Sequence, residues 1–381
     1  YRLIASPTLP AIPLLTAAGY ILAEGGASHR LVRFFRALFG SLPGGIAVMV
    51  AAVCAIFTTF TGGSGVTIIA LGGLVYPILR DDGYPEGFSL GLVTAAGSLG
   101  LLFPPSLPVI LYSVVASVPA DSLYLAGLVP GLLLVVLTAA WGIRQGLRLE
   151  AQGRKRPEFV LRELGVSFWE AKWELALPFL VIVLFASGFA SMVEASAAAC
   201  AYAAIVECLV TRDIHPFRQL PGVLLKAGAL MGAVLLLLSV AMGLTSWLVD
   251  AQVPGALLAY VKTHVSSPLA FLLVLNVILL VLGSVLEIYS AIVILAPLVA
   301  PMGAAFGIDP IHLGVIFLAN LELGFLFPPV GLNLFLSSSR FGVPLPRLYR
   351  HAVPYLLILG AGVLLITYVP AMSVGILDLL C

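Results

Sequence analysis

The sequence predicts an all-α, polytopic membrane protein built from two inverted repeats. Of its 381 residues, 61% are hydrophobic and only 10% are charged, and the mean hydropathy is +1.13. A soluble domain would carry about 25% charged residues. The chain also repeats itself, because GLLFPP at residues 100–105 recurs as GFLFPP at residues 324–329. Each copy lies inside an apolar run long enough to enter a membrane, which places the same feature in both halves.

The two proline pairs predict a broken helix in each half. Proline removes a backbone donor and blocks the helical hydrogen-bond ladder. In hydrocarbon, a broken backbone is tolerated only where it faces protein or a water-filled cavity. Helices interrupted at corresponding points of two halves are typical of the binding site of a transporter.

The first repeat is predicted to cover residues 1–142. A span at residues 9–23 precedes a basic amphipathic surface helix with Arg30, Arg33 and Arg36. Residues 46–79 form two apolar arms of about fifteen residues, too short to cross singly because a span needs about 20. We therefore expect a re-entrant helical hairpin with its tip at residues 61–65, TGGSG, rather than one long kinked helix. A broken helix at residues 87–118 and a return span at 122–142 complete this repeat.

A hydrophilic segment at residues 143–174 mixes basic and acidic side chains, which indicates a solvated cytoplasmic linker and not a nucleic-acid surface. The second repeat, residues 175–381, opens with helices at 175–190 and 193–210 and a span at 227–249. We expect a second hairpin at residues 270–300, with its tip near Gly283 and Ser284. A second broken helix at residues 311–338 and a last span at 353–370 follow.

The distribution of basic residues supports this topology. If both hairpins return to their own side, every Lys and Arg except Arg2 and Lys262 falls on one side of the membrane, which is then the cytoplasmic side. The first broken helix runs from inside to outside and the second from outside to inside. The repeats are therefore inverted, and one hairpin enters from each face.

Hydroxyl and amide side chains cluster at the predicted helix breaks. Neutral oxygens beside exposed carbonyls suit a weakly held hard cation such as Na⁺, and the opposed N-termini of the half-helices suit a carboxylate. The alternative is that the hydroxyls only cap the broken ends. The candidates are Thr61, Ser64 and Ser106 in the first half and Ser284, Asn320 and Asn333 in the second.

Three carboxylates lie in or near apolar segments, where an acidic side chain is a functional candidate. Glu287 follows the second hairpin tip and is expected to bind substrate or ion. Glu322 precedes Pro328 and is expected to have a paired structural role, whereas Glu194 follows Ser191 by three residues and fits a capping box.

The catalytic motifs that would indicate an enzyme are absent from the sequence. It contains no HExxH, no serine nucleophile elbow and no P-loop, which argues against a metalloprotease and against an ATPase within the chain. The four cysteines do not have the spacing of a zinc site. They are Cys54, Cys200, Cys208 and Cys381.

Several motifs in order carry a family resemblance. They are LPGG at residues 42–45, the tip at 61–65, Pro77 with Gly83 and Tyr84, LFPPS at 102–106, Glu194 with Ala195, Pro297 with GIDP at 307–310, and PPVGL at 328–332. With these motifs the chain resembles the large membrane subunit of the tripartite ATP-independent periplasmic (TRAP) transporters, from about Pro7 to Pro370. Two positions depart from the typical pattern: the tip reads TGGS where members carry Ser-Gly-Ser-Ser, and Glu287 stands where an aspartate is expected. The chain starts at Tyr1, and we expect the family's N-terminal span to precede it.

The resemblance implies an elevator-type secondary transporter of the bacterial inner membrane. Such a protein imports an organic acid, for example a C4-dicarboxylate or a sugar acid, delivered by a periplasmic substrate-binding protein. Na⁺ gradients drive the import with no other cofactor, and a small four-helix membrane subunit completes the scaffold in the bilayer. Carried over by motif, the Na⁺ and substrate loops add Gly62, Gly65, Pro104, Pro105, Gly283, Pro328, Pro329 and Gly331 to the candidates above.

Other functions remain open at this stage. A stand-alone ion-coupled anion carrier would share the inverted-hairpin plan but would need no binding protein. A membrane-embedded lipid enzyme would need a polar catalytic cluster near one membrane face, and the sequence contains none. A purely structural subunit would leave the two broken helices unexplained.

Overall fold

The computed structural model describes residues 9–154, 158–186, 190–265 and 267–380, and it confirms the predicted all-α class over these ranges, which contain no β-strand. The first half holds α1 (Ala11–Glu24), α2 (Ala27–Phe39), α3 (Gly45–Thr61), α4 (Ser64–Ala70), α5 (Gly72–Asp81), α6 (Glu86–Ala96), α7 (Leu107–Ala116) and α8 (Ala120–Ala151). The second half holds α9 (Leu161–Ala186), α10 (Met192–Ile205), α11 (Leu220–Asp250), α12 (Val253–His264), α13 (Pro268–Gly283), α14 (Ile288–Ala305), α15 (Pro310–Gly324), α16 (Leu332–Phe341), α17 (Leu345–Tyr368) and α18 (Gly375–Leu380).

The chain is a multi-pass membrane protein. Five of the described helical segments are long and apolar enough to cross a bilayer, and a bent pair formed by the end of α12 and by α13 would make a sixth. Large apolar side chains such as Leu236 and Leu357 are about two-thirds exposed on these helices. Exposed apolar surface of this extent suits lipid or another membrane helix and not water.

The same order of elements occurs in both halves. A first hairpin is formed by α3 with α4 and α5, and a second by α13 with α14. The broken helices are α6 with α7 and α15 with α16, and each is followed by a long helix, α8 or α17. The predicted second arm of the first hairpin differs in one respect, because Leu71 separates it into two helices.

Glycines make the first hairpin turn. Gly62 ends α3 with a φ of +64°, in the left-handed region that a residue without a Cβ adopts most easily, and Gly63 is extended before α4 begins. Since α3 packs against both α4 and α5, the chain folds back on itself. The segment is a hairpin and not one long kinked helix.

The helix breaks contain the two proline pairs but differ in length. The first leaves residues 97–106 outside regular helix, and the second leaves residues 325–331. The bonds Pro104–Pro105 and Pro328–Pro329 are both cis. The interruption at the first pair therefore begins earlier than the proline positions alone suggest.

The two repeats pack against each other reciprocally. The second half-helix of each break lies on the second arm of the other repeat's hairpin, α7 on α14 and α16 on α4. The first half-helix of each break likewise packs against the long last helix of the other repeat, α6 on α17 and α15 on α8. This exchange is what an approximate twofold relation between the repeats produces.

The hydrophilic segment at residues 143–174 is more structured than a solvated linker. Most of it extends α8 and α9, and residues 155–157 lie outside the described ranges. Arg33 of α2 pairs with Glu163 and Glu170 of α9. The stretch is exposed over much of its length, but most of it is helical, and three of its acids, Glu163, Glu170 and Glu174, pair with arginines of α2.

A largely buried cluster of charges, which we call the Arg30 cluster, binds α2 to α9 and to the segment after α10. The Arg30 guanidinium lies 2.5 Å from Glu174, 2.9 Å from Glu207 and 2.5 Å from Asp213. The side chains of Glu174 and Glu207 have no exposed area. Glu207 lies in a π-helical turn after α10, a form that is rare in helices.

A second ion pair joins the loop after α5 to the end of α8. Asp82 accepts a hydrogen bond from Arg154, whose guanidinium also lies over the Tyr84 ring. Burial raises the pKa of the Asp82 carboxyl above its ordinary value, while the Arg154 charge opposes that shift. The first hairpin is thereby tied to the long helix of its own repeat.

Candidate functional site

Both hairpin tips and both helix breaks meet inside the protein. The Tyr289 hydroxyl, just after the second tip, donates a hydrogen bond of 2.9 Å to the carbonyl of Gly62 in the first tip. At the second break, the Gly331 amide donates to the Ser284 carbonyl at 2.8 Å. Four segments far apart in sequence thus contribute backbone to one region, which we call the tip region.

Threonine hydroxyls surround the first tip. The hydroxyls of Thr58 and Thr67 lie 2.8 Å apart, and that of Thr58 donates to the Gly97 carbonyl at 2.9 Å. Thr61, a predicted site residue, lies 3.4 Å from the Thr67 hydroxyl. The hairpin arms and the first break are therefore joined by uncharged oxygens of the kind that Na⁺ accepts.

Two predicted serines present buried oxygens at helix starts. Ser64 begins α4 and Ser106 precedes α7, and both are at most 2% exposed. Neither hydroxyl oxygen has a hydrogen-bond partner among the described residues. A buried polar atom without a partner is costly, so each serine suits a ligand. Ser106 is further held by its carbonyl, which accepts from the Tyr124 hydroxyl at 2.9 Å.

At the second break, Asn333 bridges the two repeats. Its side-chain amide donates to the Thr94 carbonyl of α6 at 3.1 Å. The amide oxygen, on a residue with no exposed area, has no partner in the described part of the chain. Thr94 also donates to Ser337 at 2.9 Å. Asn333 therefore combines a structural hydrogen bond with a free acceptor.

Glu287 caps the N-terminus of α14. One of its carboxylate oxygens accepts from the backbone amides of Tyr289 at 3.0 Å and Ser290 at 3.4 Å. The carboxylate lies two residues from the tyrosine that reaches the first tip, so it borders the tip region.

The predicted glycines allow close approaches between backbone segments. A Cβ on Gly65 would lie 2.8 Å from Leu336 of α16, and one on Gly62 would lie 2.4 Å from Leu107 of α7. Gly283 packs against Gly324, where a Cβ would lie 2.8 Å from the Gly283 backbone.

The prolines of the two breaks differ in exposure. Pro104 and Pro328 are half-buried and Pro105 is buried, while Pro329 is exposed. The Pro329 carbonyl accepts a hydrogen bond from the Tyr349 hydroxyl of α17.

Asn320 lies in a different polar network from the other candidates. Its amide donates to Asn276 of α13 at 2.5 Å, and Thr367 of α17 donates to the same Asn276 oxygen at 3.1 Å. This network borders a groove of about 500 Å³ between α13, α15 and α17. The structure does not bring Asn320 to the tip region by any hydrogen bond among those described.

The other two acids have different outcomes. The capping box predicted for Glu194 is present, with both reciprocal hydrogen bonds to Ser191. The paired role expected for Glu322 is wrong, because neither of its carboxylate oxygens has a hydrogen-bond partner among the described residues. Glu322 is 2% exposed and lies in the last turn of α15.

Sequence reasoning missed several residues of the tip region. They are Thr58, Thr67, Thr94, Ser337 and Tyr289. A hydroxyl every three or four residues near the first tip was a usable signal for the first two. The reach of Tyr289 to the opposite hairpin had no local signal, because it depends on how the repeats pack.

The tip region contains no basic side chain from its own segments. The sequence has no Lys or Arg at residues 37–79, 81–143 or 263–339, which include both tips, both breaks and both hairpins except for Arg80 at the end of α5. A bound anion would meet backbone amides at the N-termini of α7 and α16, with hydroxyls around them.

This arrangement, with paired hairpins and broken helices around a buried polar centre, defines a polytopic membrane protein of the secondary-transporter class. The model of the DctM component of the tripartite ATP-independent periplasmic transporters matches residues 1–372. The C4-dicarboxylate TRAP transporter large permease protein DctM of Pseudomonas aeruginosa is 36% identical over 97% of this chain and 86% of its own length. The chain therefore belongs to the family of TRAP transporter large membrane subunits, whose members are transporter permeases and not enzymes.

Two further similarities bear on length and on fold. The isethionate TRAP transporter permease protein DctMQ of Oleidesulfovibrio alaskensis is 34% identical over 95% of this chain, which spans 56% of that protein. The crystal structure of the Alcanivorax borkumensis YdaH transporter superposes with a TM-score of 0.71 at 17% identity, covering 98% of this chain and 87% of that one. At this identity the similarity shows the fold alone.

Proposed function

We propose that this chain is the large membrane subunit of a Na⁺-coupled importer of a small organic acid. The observation that carries the proposal is the tip region, where buried oxygens of Ser64, Ser106 and Asn333 have no partner in the described part of the chain. Hydroxyl, amide and carbonyl oxygens of this kind are hard ligands suited to a weakly held cation.

The lack of Lys and Arg around the tip region gives a physical reason for coupling. A carboxylate brought into a buried site without a compensating charge would be strongly disfavoured. Na⁺ ions bound at the hairpin tips would supply that charge, so substrate and ions would bind together or not at all. The amides at the starts of α7 and α16 would orient the carboxylate.

The substrate class follows from the same chemistry and from the family. One relative is named for C4-dicarboxylates and another for isethionate, both small organic anions. We therefore propose a carboxylate, such as a C4-dicarboxylate or a sugar acid, as the cargo. It would arrive from a periplasmic binding protein, and transport would follow an elevator movement against a scaffold shared with a small membrane subunit in the bacterial inner membrane.

Reconstitution tests this proposal in separable parts. The chain would be placed in liposomes with and without its small subunit and its binding protein, and uptake of radiolabelled C4-dicarboxylates and sugar acids would be followed. We expect uptake only with all three components and an inward Na⁺ gradient. Equal uptake with choline in place of Na⁺ would reject the cation coupling. Na⁺-driven uptake by the chain alone would reject the tripartite assembly and support a stand-alone carrier.

A further inference from the structure

Glu322 is a buried carboxyl group outside the tip-region network just described. It lies in the last turn of α15, three residues before the second break begins at Phe325, and is 2% exposed. Both of its oxygens lack a hydrogen-bond partner within the described ranges. No ion pair involves it among those residues either, although most buried polar groups in native proteins are hydrogen-bonded.

The surroundings of Glu322 along its own helix are apolar. A helical side chain leans toward the N-terminus and covers the positions three and four residues earlier. For Glu322 these are Ala319 and Leu318, which are at most 2% exposed. Its neighbours one turn ahead, Phe325 and Leu326, are each 1% exposed. Along its own helix, the carboxyl therefore lies among buried apolar side chains.

The elements packed against α15 bring no partner for a charged Glu322. These elements are α7, α8, α13, α14 and α17. Helix α13 carries no titratable side chain, and no described bond joins Glu322 to any titratable group on the others or on α15 itself. Those groups are Tyr112 of α7; Asp121, Tyr124, Arg144, Arg148 and Glu150 of α8; Glu287 and Tyr289 at the start of α14; His312 of α15; and Arg347, Tyr349, Arg350, His351, Tyr355 and Tyr368 of α17.

We propose that Glu322 is a proton-binding site: it is neutral in the conformation described here, and it releases its proton only when water reaches this part of α15. An ionised carboxylate here would have neither a counter-charge nor a hydrogen-bond donor, and such a charge is strongly disfavoured in apolar surroundings. A proton fits better than Na⁺, because Na⁺ would require several further oxygens and the side chains along this face are apolar.

The site belongs to one repeat only. The position that corresponds to Glu322 in the first repeat is Ser98, which lies as far before Pro104 as Glu322 lies before Pro328. Ser98 is fully buried, and its hydroxyl turns back to the Ala95 carbonyl at 3.4 Å. Proton binding would therefore couple to opening of the second broken helix and not of the first.

Infrared difference spectroscopy on the full chain in nanodiscs tests whether Glu322 is neutral. Subtracting the spectrum of Glu322→Gln should reveal the carbonyl band of a protonated carboxylic acid at neutral pH. Glu322→Asp, which keeps the acid on a shorter side chain, should shift this band and not remove it. A carboxylate band in the same difference spectrum would overturn the proposal. If Glu322→Gln does not fold, the comparison with Glu322→Asp decides the outcome.

Thiol labelling tests the coupling between proton release and water access. In a background without native cysteines, Ala319→Cys would be labelled with a small polar thiol reagent between about pH 6 and pH 9, alone and together with Glu322→Gln. Dividing the labelling rate of Ala319→Cys alone by the rate of the double variant with Glu322→Gln removes the pH dependence of the thiol itself. We expect this ratio to rise by up to about tenfold per pH unit. Ser98→Cys is the matched control and should give a flat ratio.

A ratio for Ala319→Cys that stays flat over this range would reject the proton linkage. A ratio that depends on Na⁺ concentration but not on pH would identify Glu322 as a cation ligand and would also overturn the proposal. Transport is not measured in either experiment, so their outcome is independent of the proposed cargo.

Discussion

The two repeats share one order of helices but differ in what holds them and in the polar groups they bring together. In the first repeat, the surface helix α2 is fixed by buried and half-exposed ion pairs to α9 and the turn after α10. Helix α12, which precedes the second hairpin, has exposed side chains and no ion pair among its described residues. The first tip is lined with uncharged hydroxyls, whereas the second carries the carboxylate of Glu287.

This difference teaches that the backbone geometry and the chemistry of the site have separate origins. Glycines and proline pairs recur in both halves and produce the same hairpins and breaks. A serine recurs at both tips, but Glu287, Glu322 and Asn333 belong to the second repeat alone. The two repeats therefore share a backbone arrangement, and the polar residues that differ between them give each half a different chemistry.

The largest effect is expected from breaking the Arg30 cluster. Arg30→Ala would leave two fully buried carboxylates without their counter-charge, and removing one partner of a buried ion pair costs about 3–5 kcal/mol. Lys262→Ala, on the exposed face of α12, is the matched control and should change stability by less than about 0.5 kcal/mol. Thermal unfolding in detergent measures both. Equal effects would contradict the asymmetry between the repeats.

The glycines at the two breaks should respond to the same substitution to different degrees. A Cβ on Gly100 would lie 2.1 Å from the Ala55 carbonyl oxygen, whereas one on Gly324 would lie 2.8 Å from the Gly283 backbone. We expect Gly100→Ala to cost about 3 kcal/mol and Gly324→Ala about 1–2 kcal/mol, in the range of overpacking. The yield of folded protein and its melting temperature give the order, and a larger loss at Gly324 would show that the first break is the more adaptable.

Ser106 and Asn333 should separate ion binding from stability. Ser106→Ala removes an oxygen that bonds to no described protein atom, so apparent Na⁺ affinity should fall about tenfold with little change in melting temperature. Asn333→Ala removes a free acceptor and also the bond to Thr94, so affinity and stability should both fall. Na⁺ titrations of substrate uptake or binding, beside melting curves, provide the readout. Unchanged Na⁺ affinity in both variants would exclude these oxygens as ligands.

The smallest effect on stability is expected at Glu287. Glu287→Gln keeps an acceptor for the amides of Tyr289 and Ser290, so the loss of charge at this helix start should cost only about 0.5–1 kcal/mol. The apparent affinity for Na⁺ should fall by a larger free energy than this cost in stability. A change in melting temperature without any change in Na⁺ dependence would reduce Glu287 to a helix cap.

The positions of the hairpins and breaks could be predicted from sequence because local residues determine them. Proline pairs end a helical ladder wherever they occur, and residues 61–65 contain three glycines at the first turn. The contacts that the sequence did not predict depend on tertiary packing. Asn320 pairs with Asn276 of another helix, and Glu163 and Glu174 pair with arginines more than a hundred positions away.

Glu322 is the converse case, because the sequence predicts a contact that the structure lacks among the described residues. From the sequence alone, a carboxylate in an apolar helix predicts a partner. Only the packed structure shows that the described surroundings provide none. The lack of a contact cannot be read from a linear pattern, because it depends on what every neighbouring helix contributes.

The inverted insertion of the two repeats is the central claim, because hairpins that enter from opposite faces would bring their two tips together in the middle of the bilayer. Cysteines at Glu158 and Lys262, both exposed, would be labelled in sealed vesicles of known orientation with a membrane-impermeant thiol reagent. Glu158 is preferred to Arg154, which pairs with Asp82. We predict that Glu158→Cys is labelled only from the cytoplasmic side and Lys262→Cys only from the periplasmic side. Labelling of both from the same side would contradict the inverted repeat.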